Sequence, residues 1–179
     1  MKNVMNILIS DNPRDGVLRL VMDDQKSGNA LSEEMMNKLI ETIKKASIDD
    51  SVKVIILAAE GGIFSSGHNL KQITDAREQG EDGEPYFKQL FDQCSSLMKL
   101  IVKCPKPIIA QITGIATAAG CQLVATCDLA YASSSAKFAT PGVNLGLFCS
   151  TPMVALTRAV NNKHAMEMLL TGDFIDSIK

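Results

Sequence analysis

The chain has 179 residues, 46% of them hydrophobic and 21% charged, with a net charge of -2. That composition suits one globular domain, residues 1–179, and excludes a disordered or low-complexity chain. So small a charge builds no field for nucleic acid or an anionic membrane surface.

The first elements read as strands at residues 7–10 and at Val17–Met22, with turn chemistry from Asn12, Pro13 and Gly16 between them. No secretory leader is expected, because Asp11, Pro13 and Arg14 interrupt the opening apolar stretch. After a polar loop over 23–30, Ser32 is placed to cap a helix that starts with Glu33 and Glu34. Met35, Met36, Leu39, Ile40 and Ile43 then recur at helical spacing to about Ile48. Val54–Ala59 is a continuous apolar run bounded by Gly61-Gly62, which predicts a buried strand. A loop over 64–70 leads to a short helix, and the acidic stretch 79–85 reads as a surface segment. A long amphipathic helix is predicted over 86–103, stopped by Pro105 and Pro107. Strands follow at Ile108–Ile112, Leu129–Ala132 and Lys137–Ala139, and helices at 118–126, 152–160 and 164–170. The apolar window 108–125 is broken by Gln111, Gly114 and Gln122, so no membrane span is expected.

The five cysteines form no C-x-x-C pair, and His68 and His164 lie far apart in sequence. No metal site is expected, and the thiols are expected to be reduced in a cytoplasmic protein. Lys88, Lys99, Lys103 and Lys106 form a basic stripe, but no aromatics interleave it for base stacking, so it is read as a solvated face.

Two stretches carry the chemistry. In Phe64-Ser65-Ser66-Gly67-His68-Asn69-Leu70-Lys71 a glycine before a helix start allows a sharp turn and leaves N–H groups free. In Gly114-Ile115-Ala116-Thr117-Ala118-Ala119-Gly120-Cys121-Gln122-Leu123 small residues run into a helix N-terminus. Each alone reads more readily as close helix–strand packing. Together, two N–H donors aimed at one oxygen would make an oxyanion hole.

These stretches resemble the crotonase superfamily of enoyl-CoA hydratases and isomerases. Phe64–Lys71 is similar to its F-x-x-G-x-D-L/I-K/R segment, and Gly114–Leu123 with Cys127-Asp128 to its second oxyanion segment. Gly28-Asn29-Ala30-Leu31 resembles its N-A-L segment beside the coenzyme A adenine. The run from Phe138 through Pro141, Leu145-Gly146-Leu147 and Pro152 looks most like the subgroup called enoyl-CoA hydratase domain-containing proteins.

The resemblance implies an α/β fold, a spiral of ββα units. It implies that the backbone N–H groups of His68 and Ala119 are the oxyanion donors. It implies a binding environment for an acyl-coenzyme A thioester from Ala30, Leu31, Gly67, Asn69, Leu70, Lys71 and Gly120, with no cofactor beyond that ligand. It also implies a homotrimer or hexamer, whose C-terminal helices are absent from this chain, so that apolar faces are expected to be exposed.

Two departures bear on activity. Hydratases of the family carry Glu where this chain has Gln122 and Gly142. Hydration needs a base for water and an acid for the α-carbon, and neither an amide nor a bare α-carbon exchanges protons. The expectation is a thioester-binding protein of fatty-acid metabolism that stabilises an enolate without two-carboxylate hydration. The alternative is a non-catalytic acyl-CoA binder or regulator. Cys149 stands where some relatives place another catalytic group, and is also read as a small buried filler.

Overall fold

The computed structural model describes residues 6–78 and 84–178. The chain opens with an antiparallel pair, β1 (Leu8–Arg14) and β2 (Val17–Met22). The turn sits at Asp15-Gly16, later than expected, because β1 continues through Asn12 and Pro13. Pro13 is tolerated there: β1 is an edge strand, and its register shifts between Asp11 and Arg14.

Helix α1 (Glu33–Ile48) starts as expected, with the Ser32 hydroxyl accepting the Met35 N–H at 3.2 Å. Its Met35, Met36, Leu39, Ile43 and Ala46 face is buried. That face meets α3 (Glu84–Lys103), which buries Leu90, Cys94, Leu97, Met98 and Ile101. Gln93 ties the two helices, its Nε2 donating to the Glu33 carbonyl at 3.0 Å and to Asn37 Oδ1 at 2.7 Å. Of the acidic stretch 79–85, residues 79–83 lie outside the described residues, while Glu84 and Pro85 form the first turn of α3. Lys106 is not part of a free basic stripe. Its ammonium donates to the Ala46 and Asp49 carbonyls at the end of α1.

The middle of the chain repeats one pattern. Strand β3 (Val54–Ala59) is followed by β4 (Ile63–Ser65), β5 (Ile108–Ile112) by β6 (Ile115–Thr117), and β7 (Leu129–Ala132) by β8 (Lys137–Ala139). The first strand of each pair joins one sheet, of order β1-β2-β3-β5-β7. The second joins another, which runs β4-β6-β8 and is closed by β9 (Ile175–Asp176). Helices α2 (Leu70–Glu78) and α3, α4 (Ala119–Thr126), and α5 (Ser150–Ala159) with α6 (Asn162–Thr171) fill the turns. The result is the ββα spiral. Strands β4, β6 and β9 do not stand out in the sequence, being two or three residues long and defined by a partner from another turn.

The corners between paired strands stack on one another. Ile115 N–H donates to the Gly62 carbonyl at 3.1 Å, and Lys137 N–H to the Gly114 carbonyl at 3.3 Å. A β-carbon on Gly114 would lie 2.1 Å from the Gly62 oxygen, so these corners touch backbone to backbone. Phe64, 1% exposed, packs into the core beneath.

Candidate functional site

The spiral brings the two chemistry-bearing stretches into contact. Gly67 has φ +91°, and a β-carbon there would lie 2.9 Å from Ala118 Cβ and 3.2 Å from Ala119 N. Glycine is therefore what lets the first stretch press against the second. The Thr117 hydroxyl fastens them, donating to the Ser66 carbonyl at 3.1 Å. The Gly67 carbonyl accepts the Leu31 N–H at 2.7 Å, which docks the third segment. No hydrogen bond among the described residues uses the N–H of His68 or of Ala119. Ala119 is the first residue of α4, where helical N–H groups have no internal acceptor.

Ala118, just before that donor, has φ 50° and ψ -123°. An L-residue held there costs about 1–3 kcal/mol. Ala118→Gly is expected to raise the melting temperature by about 2–4 °C, the equivalent of about 1 kcal/mol for a domain of this size. A thermal melt checks it, and a lower melting temperature would mean that the methyl contact outweighs the strain.

The hollow beside the first stretch has a volume of about 350 Å³. It gathers Ala30, His68, Asn69, Leu70 and Lys71 as the sequence implied, and adds Lys26, Ser27 and Ser66. Lys26 and Ser27 were missed because they belong to a polar loop with no local pattern, and Ser66 because nothing set it apart within the first stretch. Leu31 and Gly120 line neither this hollow nor the next one. Leu31 is 0% exposed in the core, and a β-carbon on Gly120 would lie 2.3 Å from the Ser65 carbonyl oxygen. Gly120 thus serves the close seating of α4 on β4. Asn29 is a structural clamp. Fully buried at φ 51°, it accepts the Asp24 N–H at 2.7 Å and donates to the Glu60 and Ile63 carbonyls at 2.9 and 2.7 Å.

The His68 ring meets Phe91 edge-on, centroids 5.5 Å apart. Burial pushes the His68 pKa below its usual value, which keeps the imidazole neutral near pH 7. The Leu31 carbonyl pulls weakly the other way but falls short of hydrogen-bond geometry, so Nδ1 has no partner among the described residues. Phe91 belongs to a second hollow, of about 310 Å³, between α3 and α5. Gln122 lines it, 7% exposed, with Oε1 unpartnered among the described residues. Cys94 lines it too, its thiol pushed up to about 11 by burial and so held protonated.

Gly142 is closed over. A β-carbon there would lie 2.6 Å from Cys149 Sγ and 2.8 Å from Leu147 Cδ1. Cys149, 6% exposed, fills the space against it, and the filler reading is the one its surroundings favour. Among the described residues no three His, Cys, Asp or Glu side chains gather as a metal cluster. No helix among them is long and apolar enough to cross a membrane.

Comparison with known proteins agrees with this fold. Residues 12–177 match the family described as Enoyl-CoA hydratase/isomerase. Enoyl-CoA hydratase domain-containing protein 3, mitochondrial, of Mus musculus is 51% identical over 170 residues, 95% of this chain and 55% of its own length. The crystal structure of human enoyl Coenzyme A hydratase domain-containing protein 3 superposes with a TM-score of 0.88 at 47% identity, over 97% of this chain and 66% of that one. An enoyl-CoA hydratase structure from Mycobacterium smegmatis gives 0.89 at 45% identity, over 97% and 65%. The chain spans about half the length of the curated relatives it matches. By sequence match and by fold, the chain belongs to the enoyl-CoA hydratase/isomerase family.

Proposed function

We propose that this chain binds an acyl-coenzyme A thioester, with its carbonyl oxygen received by the N–H groups of His68 and Ala119. The observation that supports the reading is the close approach of Gly67 to Ala118 and Ala119, next to the N–H groups of His68 and Ala119 that no hydrogen bond among the described residues uses. Lys71 and Lys26 beside Ala30 and Asn69 supply positive charge where the coenzyme's phosphates would lie. The donors would polarise the thioester carbonyl and stabilise negative charge on its oxygen. One such donor is worth about 100–1000-fold in rate.

Two-carboxylate hydration is not the reaction we propose. Gln122 cannot exchange protons, and Gly142 offers neither a side chain nor room for one. Each missing acid or base forfeits about 100–10,000-fold. The same closure at Gly142 favours the second reading, an acyl-CoA binder or regulator without turnover.

Calorimetric titration with octanoyl-CoA against free coenzyme A tests the binding. Octanoyl-CoA is expected to bind at least about tenfold more tightly, about 1.4 kcal/mol. Ala119→Pro, which removes one N–H, is expected to abolish that difference and leave the affinity for free coenzyme A. Equal binding of thioester and coenzyme by the unaltered chain would overturn the reading. Deuterium uptake at the acyl α-carbon separates enolate chemistry from mere binding.

The relatives named above include one whose name says mitochondrial, and we propose that compartment in place of the cytoplasm first expected. Subcellular fractionation checks it. The homotrimer or hexamer is also carried as a proposal. Exposed Leu145, Leu147, Phe148 and Phe174 supply apolar surface for it, and sedimentation is the measurement.

A further inference from the structure

The hollow between α3 and α5 has a polarity that thioester capture does not use. Its apolar wall, including Phe91 and Val102, is joined by Lys99, Lys103 and Arg158. No carboxylate among the described residues lines it, and none of the three cations is in an ion pair there. On its wall lies the buried Gln122 amide, whose unpartnered oxygen accepts hydrogen bonds and so takes no part in holding an anion.

The order of these groups along α3 gives direction. Phe91 meets the His68 ring, so that end of the hollow lies toward the first stretch, although neither His68 nor Ala119 lines it. Gln122 is three residues after Ala119 on α4, about 4.5 Å along the axis. Lys99 and Lys103 follow Phe91 by eight and twelve residues, roughly 12 and 18 Å along the helix. A chain running from the first stretch along α3 would pass Phe91 and end among the cations.

We propose that the acyl group this site takes ends in a second anion: the ligand is a dicarboxylic acyl thioester, its far carboxylate received by Lys99, Lys103 and Arg158. This rests on the thioester-binding reading above. A guanidinium and two ammonium groups suit a carboxylate, and Arg158 can hold it through two parallel N–H bonds. A methyl-ended chain would leave all three cations without a counter-charge.

The test compares dodecanedioyl-CoA, dodecanoyl-CoA and free coenzyme A by calorimetry on the full chain. Dodecanedioyl-CoA is expected to bind at least about tenfold more tightly than dodecanoyl-CoA, with the gap shrinking as salt is raised. In Lys103→Gln/Arg158→Gln, and separately in Lys99→Gln, that preference is expected to fall to less than about threefold, while dodecanoyl-CoA affinity holds. These side chains are exposed, and circular dichroism confirms that the fold is kept. Dodecanoyl-CoA binding as tightly as the diacid overturns the proposal and leaves the thioester reading standing. Variants that weaken free coenzyme A as much as the diacid also overturn it, assigning the cations to phosphate. Binding of no thioester at all defeats both readings, and is seen as absent heat rather than absent preference.

Discussion

Gly114→Ala is expected to lower the melting temperature by about 6–12 °C, while Gly62→Ala leaves it unchanged or slightly raised. The contrast follows from where each methyl would go. At Gly114 it would meet the Gly62 carbonyl oxygen at 2.1 Å and the Gly62 carbonyl carbon at 2.5 Å. Both are backbone atoms, so no rotamer change relieves the clash. Added volume in a packed interior costs typically about 1–3 kcal/mol, and the upper end applies where backbone must move. At Gly62 a β-carbon has nothing within 4 Å. Thermal melts of the two variants side by side decide it. A Gly114→Ala protein that melts like the parent would mean that the stacked corners are not in contact.

Asn29→Ala is expected to cost about 3–5 kcal/mol, read as a lower urea midpoint at unchanged slope. The substitution orphans the Asp24 N–H and removes the donor to the Glu60 and Ile63 carbonyls. It also leaves alanine at φ 51°, a conformation that costs an L-residue about 1–2 kcal/mol. Asn29→Gly is expected to recover about 1 kcal/mol of the loss, because glycine adopts that conformation freely. Since Asn29 holds the loop carrying Lys26 and Ala30, acyl-CoA affinity is expected to fall in both variants. If Gly and Ala proved equally costly, the hydrogen bonds alone would account for the residue.

What the sequence disclosed depended on how local each signal was. Helix α1 was legible from Ser32 and the Met35–Ile43 spacing, because cap and periodicity sit within the element. Strands β3, β5, β7 and β8 were legible from apolar runs between breakers. Strands β4 and β6 were not, since Ile63–Ser65 and Ile115–Thr117 become strands only by pairing with each other across the spiral. The turn assigned to Asn12-Pro13 failed for a related reason: whether proline can stay in a strand depends on the strand lying at an edge. At the site, motif spacing placed Ala30, His68, Asn69, Leu70 and Lys71 around one hollow. It did not disclose Lys26 or Phe91, whose nearness is purely tertiary. Nor could it tell that Gly120 yields its space to Ser65 rather than to a ligand.

The packing around Gly142 sets the path by which this scaffold could acquire a two-carboxylate site. Gln122→Glu is a change of one side-chain group in a position already lined by a hollow. Its companion, Gly142→Glu, is blocked at its first carbon by Cys149 Sγ and Leu147. The Leu147 side chain is exposed and can turn aside, but its carbonyl oxygen, 2.9 Å from the same carbon, is backbone and must shift with its loop. The two positions are therefore unequal: the first acid needs no new space at its β-carbon, and the second needs a movement of backbone.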